Sequence, residues 1–337
     1  MGSNDTRWRI PVTYLKVMAQ QARAAGVPLA SLFAGTQFQT QAQRSSDEAV
    51  SLADTLVILR NAGTLMGAGW HRALGAQLAV PTHGPLGFAV VTAAHFGAAV
   101  QVLLRFVSTR APFVWAAGQI EGDQFVLRLF ETVDLADQRQ TMIELAMLSL
   151  QHLLERPLGS EISGAHIALA YPPPACPQEV ESVFHATVEF DAPVHGLSFP
   201  ADWLERPCAL ADEGMHRYLI RRCEDDLRNT LGLMPVAMSV RQALLSRPGR
   251  LPTLSQVAAI QHVSPRTLIR RLKRSGTSYQ EILDEVRQTQ AKDSLRYSTL
   301  SITELSQRLG YRDPANFSRA FKRWFGRSPT AFREQER

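Results

Sequence analysis

The chain has 337 residues, of which 45% are hydrophobic and 20% are charged, a composition typical of folded globular proteins and not of disordered ones. That length is enough for two domains, each with a core of its own. The three cysteines, Cys176, Cys208 and Cys223, are odd in number and far apart. We therefore expect neither a disulfide framework nor a zinc site, no cofactor, and a reducing cytoplasm as the location. The opening residues MGSNDTRWRIP lack the apolar region of a secretory leader.

Charge is divided unevenly along the chain, although its net value is only +5. Residues 241–337 contain 19 Lys and Arg against 8 Asp and Glu, a net charge of +11, whereas residues 1–240 carry a net charge of −6. A basic module of this size is the electrostatic footprint expected for a nucleic-acid partner, because neutralising phosphates supplies much of the affinity. On charge alone, a solvated basic surface without a partner remains an alternative.

Residues 11–25 and 47–66 predict helices, and an uncharged stretch follows at 73–104. Its most apolar part, 86–104, is about long enough to cross a bilayer. Polar residues interrupt it, and prolines and a glycine precede it. We therefore expect a buried strand at 86–91 and a buried helix at 94–107, with a membrane span as the less favoured interpretation.

The next part of the chain alternates between strand and helix patterns. Residues 111–131 predict a β-hairpin with its turn at Glu121-Gly122-Asp123. Helices are expected at 138–155 and 212–232, one strand in AHIALAYPPP (165–174), and two short strands in VEFDAPVHGLSFPADWL (188–204). Mixed strands and helices of this kind indicate an α+β domain, which we place at residues 1–232.

The sequence changes character near 233–236, after which only helices and short turns are predicted. Pro248-Gly249 and Pro252 interrupt the start of this part. We place an all-α domain at 236–334 with no long linker before it.

The segment LSQVAAIQHVSPRTLIRRLKR (254–274) predicts a helix-turn-helix unit. Ser264 is a suitable N-cap and Pro265 suits the first helical position. In the second helix Leu268 and Leu272 face inward at i, i+4. Its other face presents the following side chains: Arg266, Ile269, Arg270 and Lys273, with Thr267 and Arg271 at the edges. A helix that is apolar on one side and arginine-rich on the other is typical of a major-groove reader.

The same pattern recurs at 301–324. Asp313 is in the capping position, Pro314 follows it, and Phe317 and Phe321 repeat the inward pair after 49 residues. The outward positions hold polar and basic residues: Asn316, Ser318, Arg319, Lys322 and Arg323. The repetition predicts a second helix-turn-helix unit.

A helix predicted at 279–297 separates the two units and fixes their spacing, so that the two reading helices enter successive major grooves. Arginine pairs with guanine and asparagine with adenine through two hydrogen bonds each. We expect base contacts from four side chains: Arg266, Arg270, Asn316 and Arg319. We expect phosphate contacts from four others: Lys273, Lys322, Arg323 and Arg327. For any one arginine, the alternative to a base contact is a phosphate contact or a solvated position. For the two helix-turn-helix units together, the alternative is a helical bundle that does not bind DNA.

These residues carry a resemblance to a known family. Residues 236–334 resemble the DNA-binding domain of the AraC/XylS family, and the second unit is similar to its signature in GYRDPANFSRAFKRWFGRSPTAFR (310–333). The resemblance implies a sequence-specific, double-stranded-DNA-binding transcription regulator. One departure is Ile269, which stands where many members carry a polar reader and is a candidate for contact with a thymine methyl group.

The first domain resembles the arabinose-binding-type N-terminal domain of one AraC subgroup. The resemblance lies in LFAGT (32–36), in 82–106 and in ALAYPPP (168–174) with the 190–207 segment. It implies a domain that binds a small effector or mediates dimerisation, without choosing the effector. A homodimer is possible through helix 138–155 or 212–230. RNA polymerase is a further partner if the protein is an activator, and activation and repression both stay open.

Candidate effector contacts lie in and near the uncharged stretch. They are Trp70, His71, Phe88, His95 and Trp115. For each histidine a hydrogen-bonded core position is an alternative, and for each aromatic ring plain core packing.

Two other functions compete with an effector-responsive regulator. One is a DNA-binding module fused to an enzymatic or metal-dependent N-terminal domain, although no catalytic motif is present and the cysteine spacing does not suit zinc. The other is an architectural DNA binder that is indifferent to sequence. The outward Asn and Thr among the arginines favour base reading, and we therefore expect a regulator that is not an enzyme.

Overall fold

The computed structural model describes residues 8–37, 49–233, 236–245, 251–297 and 300–336. The predicted break at Pro248-Gly249, the first two residues of the predicted helix 47–66, and Met234-Pro235 at the predicted domain junction lie outside these ranges. The described residues divide into two compact units. The first holds those up to Ala116 and Val126–Leu227, and the second holds Ala117–Phe125 and those from Arg228 onward. The domain limits 1–232 and 236–334 stay a prediction.

The first unit contains the five predicted helices together with shorter ones that were not predicted as helices. They are α1 (Val12–Ala24), α2 (Leu29–Leu32), α3 (Leu52–Met66), α4 (Trp70–Gly75), α5 (Gly84–Val91), α6 (Phe96–Phe106), α7 (Arg139–Leu158), α8 (Pro177–Glu181) and α9 (Glu213–Leu233). The five predicted helices are α1, α3, α6, α7 and α9. The division between the two units falls within α9, after Leu227. α7 packs against α4, α5 and α6 and buries Ile143, Met147 and Leu154. A wide apolar face of this kind places α7 at the centre of the helical layer.

Two sheets complete this part of the chain. β1 (Arg9–Pro11) pairs antiparallel with β2 (Ala49–Ser51). The strands of the larger sheet are β3 (Val114–Glu121), β4 (Gln124–Glu131), β5 (His166–Ala168), β6 (Thr187–Glu189) and β7 (His195–Pro200), in the spatial order β3-β4-β7-β5-β6. Ile167 of β5 pairs with Val188 in a parallel register and with Leu197 in an antiparallel one. The predicted hairpin and the three later strands are thus present, and the α+β prediction is confirmed.

The prediction of a buried strand at 86–91 is wrong, because these residues belong to helix α5. Six consecutive apolar residues have no periodicity that separates a buried strand from a buried helix. The decisive signal was Pro85, which occupies the first turn of α5, where its missing N–H costs nothing. Gly87 permits the tight packing of α5, since a Cβ there would lie 2.2 Å from the Val80 carbonyl oxygen.

The small sheet β1–β2 was not predicted. Each strand has three residues, too few for an alternating pattern to be recognised. Ile10 and Val50 form the central pair of the ladder, and both side chains are buried. The sheet leads directly into α1 and α3, whose N-termini follow β1 and β2.

The described part of the second unit from residue 228 onward is helical. After the end of α9 come α10 (Val236–Leu245), α11 (Leu254–Ile260), α12 (Pro265–Arg274), α13 (Tyr279–Tyr297), α14 (Ile302–Arg308), α15 (Pro314–Phe325) and α16 (Pro329–Glu336). α13 packs against α10 on the side of the first helix-turn-helix unit and against α15 and α16 on the side of the second. The predicted spacer helix is therefore shared by both halves.

The membrane interpretation of 86–104 is not supported. Within the described ranges, no helix combines the length and the apolar character that crossing a bilayer requires.

Candidate nucleic-acid interface and N-terminal cavity

The first candidate reading helix, α12, begins at the predicted cap. The Ser264 hydroxyl accepts a hydrogen bond from the Thr267 backbone N–H at 3.1 Å, and Pro265 is the first helical residue. Leu268 and Leu272 have no solvent exposure. Because they lie one turn apart, they fix which face of α12 points away from the core.

The opposite face of α12 is exposed and basic. Its exposed side chains are Arg266, Ile269, Arg270, Arg271 and Lys273. Thr267 is half-buried and its hydroxyl lies 2.9 Å from that of Ser264, so part of its hydrogen-bonding capacity serves the cap. Ile269 is 51% exposed, an unusual position for an isoleucine on a folded surface.

The second candidate reading helix, α15, repeats the arrangement with aromatic side chains. The Asp313 carboxylate accepts from the Ala315 N–H at 2.9 Å, and Pro314 follows the cap. Phe317 and Phe321 are fully buried, with their ring centroids 5.8 Å apart in an edge-to-face arrangement. They join a core of residues from α13, α14 and α16 and from the end of α14: Ala291, Leu295, Leu305, Phe332 and the C-cap residue Leu309.

Outward from this core, α15 presents the exposed side chains Asn316, Arg319, Lys322 and Arg323, with Ser318 half-buried between them. The Arg319 guanidinium donates a hydrogen bond to the side-chain oxygen of Asn316. This contact holds two candidate base readers beside each other before any ligand arrives. Arg327, predicted to contact phosphate, is half-buried and lies over the Phe332 ring at 4.5 Å.

Both helix-turn-helix units share local features that the sequence reasoning missed. α11 and α14 each begin with a capping box, Thr253 with Gln256 and Ser301 with Glu304. Hydrogen bonds from Ser301 to the Glu304 carboxylate lower the pKa of that group. The spacing Ser/Thr-x-x-Glu/Gln before an apolar run was the available signal.

The turn after each first helix requires a left-handed backbone conformation. Gly310 supplies it in the second helix-turn-helix unit at φ +79°, and His262 adopts it in the first helix-turn-helix unit at φ +51°. Residues with a Cβ enter this region at a cost of about 1–2 kcal/mol, so the first turn is strained where the second is not.

The first unit of the structure contains an apolar cavity of about 120 Å³. Side chains from α1, α3, α6 and α7 line much of it, among them Leu15, Leu59, Leu103 and Leu150. Its polar lining residues are Tyr14, Thr55, His83, Arg110 and Ser149. The Thr55 and Ser149 hydroxyls bond to carbonyls of the preceding turn, Ser51 and Leu145, which leaves three polar groups to face the cavity.

The candidate effector residues are absent from the lining of this cavity. Phe88 is 42% exposed on α5, and Trp70 is buried at the start of α4. Trp115 stacks on Phe130 with ring centroids 4.2 Å apart. His95 caps α6, since its Nδ1 accepts from the Ala98 N–H at 3.2 Å. The structure does not bring these four side chains together.

His71, the fifth candidate, belongs to a buried polar cluster. Its Nε2 lies 2.7 Å from the Glu144 carboxylate, which also accepts hydrogen bonds from Gln140 and Tyr171. Burial alone would raise the pKa of Glu144, but these hydrogen bonds bring it below its usual value. This satisfied network joins α4, α7 and the segment that follows β5. His71 therefore occupies a hydrogen-bonded core position, which was the alternative to an effector contact.

The three cysteines do not form a site. Cys208 and Cys223 are buried and Cys176 is exposed, and none is in a disulfide. Among the residues that the structure describes, no three His, Cys, Asp or Glu side chains are grouped to hold a metal ion.

Known proteins resemble the chain on both sides of its division. Residues 26–208 match the family described as the arabinose-binding domain of AraC transcription regulators, and residues 257–335 match a helix-turn-helix domain family. The ornithine utilization regulator of Pseudomonas aeruginosa is 32% identical over 98% of both chains. The chain belongs to the AraC family.

Two further similarities accompany this result. The urease operon transcriptional activator of Escherichia coli is 32% identical, over 31% of this chain and 35% of its own. The crystal structure of the transcriptional regulator CdpR from Pseudomonas aeruginosa is 20% identical, covers 96% of this chain and 98% of its own, and has a TM-score of 0.47.

Family membership places this AraC-family protein among DNA-binding transcription regulators, with a helix-turn-helix region after an α+β domain. It does not favour the alternative of an enzymatic or metal-dependent domain fused to a DNA reader.

Proposed function

We propose that α12 and α15 are the two reading helices of this regulator and that they enter successive major grooves of one DNA duplex. The observation that carries the proposal is the pair of matched faces. Each helix buries two large apolar side chains completely and exposes arginines on the opposite side. A buried face fixes the helix to its domain, so the exposed face is held in one orientation toward DNA.

Within these faces we assign base contacts to Arg266, Arg270, Asn316 and Arg319, and phosphate contacts to Lys273, Lys322 and Arg323. The Asn316–Arg319 hydrogen bond supports the assignment, because it orders both side chains in advance and lowers the entropy lost on binding. Thr267 and Ser318, both half-buried, are placed at the edges of the two faces. Exposed Ile269 suits a thymine methyl group better than a phosphate.

We propose that this regulator binds a small-molecule effector and acts in the cytoplasm, where bacterial promoters are. Of the two candidate helices, α9 is the better dimer interface, because it exposes Met215 and Tyr218, whereas α7 is largely buried within its own unit. The name of the E. coli relative supports activation, with RNA polymerase as the further partner.

Selection from a pool of random duplexes tests the proposal. The expected result is a defined binding site that outcompetes random DNA by about a thousandfold or more at about 150 mM salt. An architectural binder would enrich no sequence, and a selected pool without a consensus would contradict the proposal.

A further inference from the structure

The cavity of the first unit has a chemically asymmetric lining. Apart from Tyr14, His83 and Arg110, whose polar atoms are not committed to their own helix, its surface is almost entirely hydrocarbon. Among the described residues that line it, none is Asp or Glu. A charged guanidinium at one end of an apolar space is the polar anchor expected of a small-molecule site.

The polar end has hydrogen-bonding capacity that the protein itself does not use. The Nε of Arg110 is buried without a hydrogen-bond partner. His83 is only 2% exposed, and its Nδ1 lies 2.9 Å from the Tyr14 hydroxyl. An unsatisfied buried donor is costly, and a bound acceptor would satisfy the Arg110 N–H.

The charge state of this end places one cation, Arg110, where an anion could bind. Burial lowers the pKa of His83 to about 4, with a smaller opposing effect from the Leu78 carbonyl, so the imidazole is neutral at physiological pH. Arg110 is then the charged group at the cavity, and its Nη2 is 2.9 Å from the Asp226 carboxylate of α9. The Nη2 of the guanidinium is therefore paired, while its Nε is not.

We infer that this cavity binds a small monocarboxylic acid with an apolar body, with its carboxylate against Arg110 and its hydrocarbon among the leucines. The inference rests on the proposed response to an effector and names the class of that effector. A void of about 150 Å³ accepts benzene, and this one is smaller at about 120 Å³, so the hydrocarbon body is limited to about six carbon atoms at most. A diamino acid does not fit, since the described lining residues include no carboxylate to pair with its ammonium groups.

Calorimetric titration of the full chain with matched probes tests the inference. Phenylacetate and 2-phenylethanol share a ring and differ in the carboxylate, and hexanoate and 1-hexanol differ in the same way. We expect one or both acids to bind at about 1 mM or tighter, and about tenfold more tightly than the matching alcohol. Ornithine is expected not to bind. Absence of saturable binding by both acids, or equal affinity for acid and alcohol, would overturn the inference.

Two variants locate the binding. Arg110→Gln should remove the preference for acid over alcohol while leaving the alcohol's affinity unchanged. Ala146→Phe, which fills the cavity from α7, should abolish binding of both probes, whereas Ala209→Phe adds the same ring at an exposed position and should change nothing. Thermal unfolding verifies that each variant folds. Binding that survives Ala146→Phe in a folded protein would place the probe elsewhere and refute the cavity.

The calorimetric titration measures ligand binding and does not measure the effect of the ligand on DNA binding. DNA affinity measured with and without the bound acid reports whether the cavity regulates. Acid binding that leaves DNA affinity unchanged would keep the site and remove the proposed effector response.

Discussion

At the scale of single residues, we expect some side chains to select bases and others only to add affinity. Arg319 and Arg323 lie one turn apart on α15 and are both exposed. Arg319 is held by Asn316, whereas Arg323 lies further along the helix, on its last turn. The difference in position predicts a difference in phenotype.

Arg319→Ala is expected to relax specificity at one or two base pairs by about 1–3 kcal/mol, because a paired contact to guanine is lost. Arg323→Ala should weaken all sequences about equally and flatten the dependence of log K on log salt by about one unit. Fluorescence anisotropy with the selected site and its single-base variants, over a range of salt, measures both effects. A uniform loss of affinity in both variants would show that Arg319 is not a base reader.

A second prediction at this scale concerns Phe321, which is fully buried among Phe317, Phe325 and Phe332. Phe321→Ala should reduce the free energy of unfolding of the second helix-turn-helix unit by about 3–5 kcal/mol, since it removes a large ring and leaves a cavity. Gln307→Ala, at an exposed site on α14, should stay within about 0.5 kcal/mol. Urea denaturation followed by fluorescence compares them, and equal effects would be inconsistent with the described core.

At the scale of elements, the turns that precede α12 and α15 solve one geometrical problem with different residues. Gly310→Ala is expected to destabilise the unit by about 1–2 kcal/mol, because alanine must enter the left-handed region. Space is not the cause, since the nearest atom to the new Cβ, on Arg287, lies 3.5 Å away.

The matched change in the first helix-turn-helix unit is His262→Gly, which removes an existing strain and should leave stability unchanged or raise it by up to about 1 kcal/mol. Thermal denaturation of both variants supplies the comparison. A marked loss of stability in His262→Gly would mean that the imidazole makes a contribution beyond the turn.

The helix α9 contributes Asp226, which pairs with the cavity residue Arg110 at 2.9 Å. Asp226→Asn should strengthen phenylacetate binding several-fold, because it removes a carboxylate that competes for the same guanidinium. Glu224→Gln is the control, as Glu224 pairs with Arg105 at 2.6 Å and not with the cavity arginine. Weaker binding in Asp226→Asn would mean that Asp226 positions Arg110 for the ligand instead of competing with it.

At the scale of the whole molecule, the sequence predicted the second half better than the first. Caps, prolines and inward pairs in α12 and α15 are local signals that repeat, and local signals survive the absence of tertiary information. The strand predicted at 86–91 failed because a short apolar run is decided by what packs around it.

The cavity escaped prediction for a related reason. Tyr14, His83 and Arg110 are separated by long stretches of chain, and no spacing rule brings them together. Trp115 and His95 were predicted as effector contacts from their residue type alone. In the fold Trp115 stacks on Phe130 and His95 caps α6. Burial and an unsatisfied polar atom are properties of the folded chain, and the proposed ligand site rests on them.

Hydroxyl-radical footprinting of the selected duplex tests the central claim most directly. Two reading helices in successive major grooves predict two protected windows on one face of the DNA, about 10–10.5 base pairs apart from centre to centre. Arg270→Ala should weaken protection in one window and Arg319→Ala in the other. A single window, or two windows that both respond to the same variant, would contradict the assignment of α12 and α15 as separate readers.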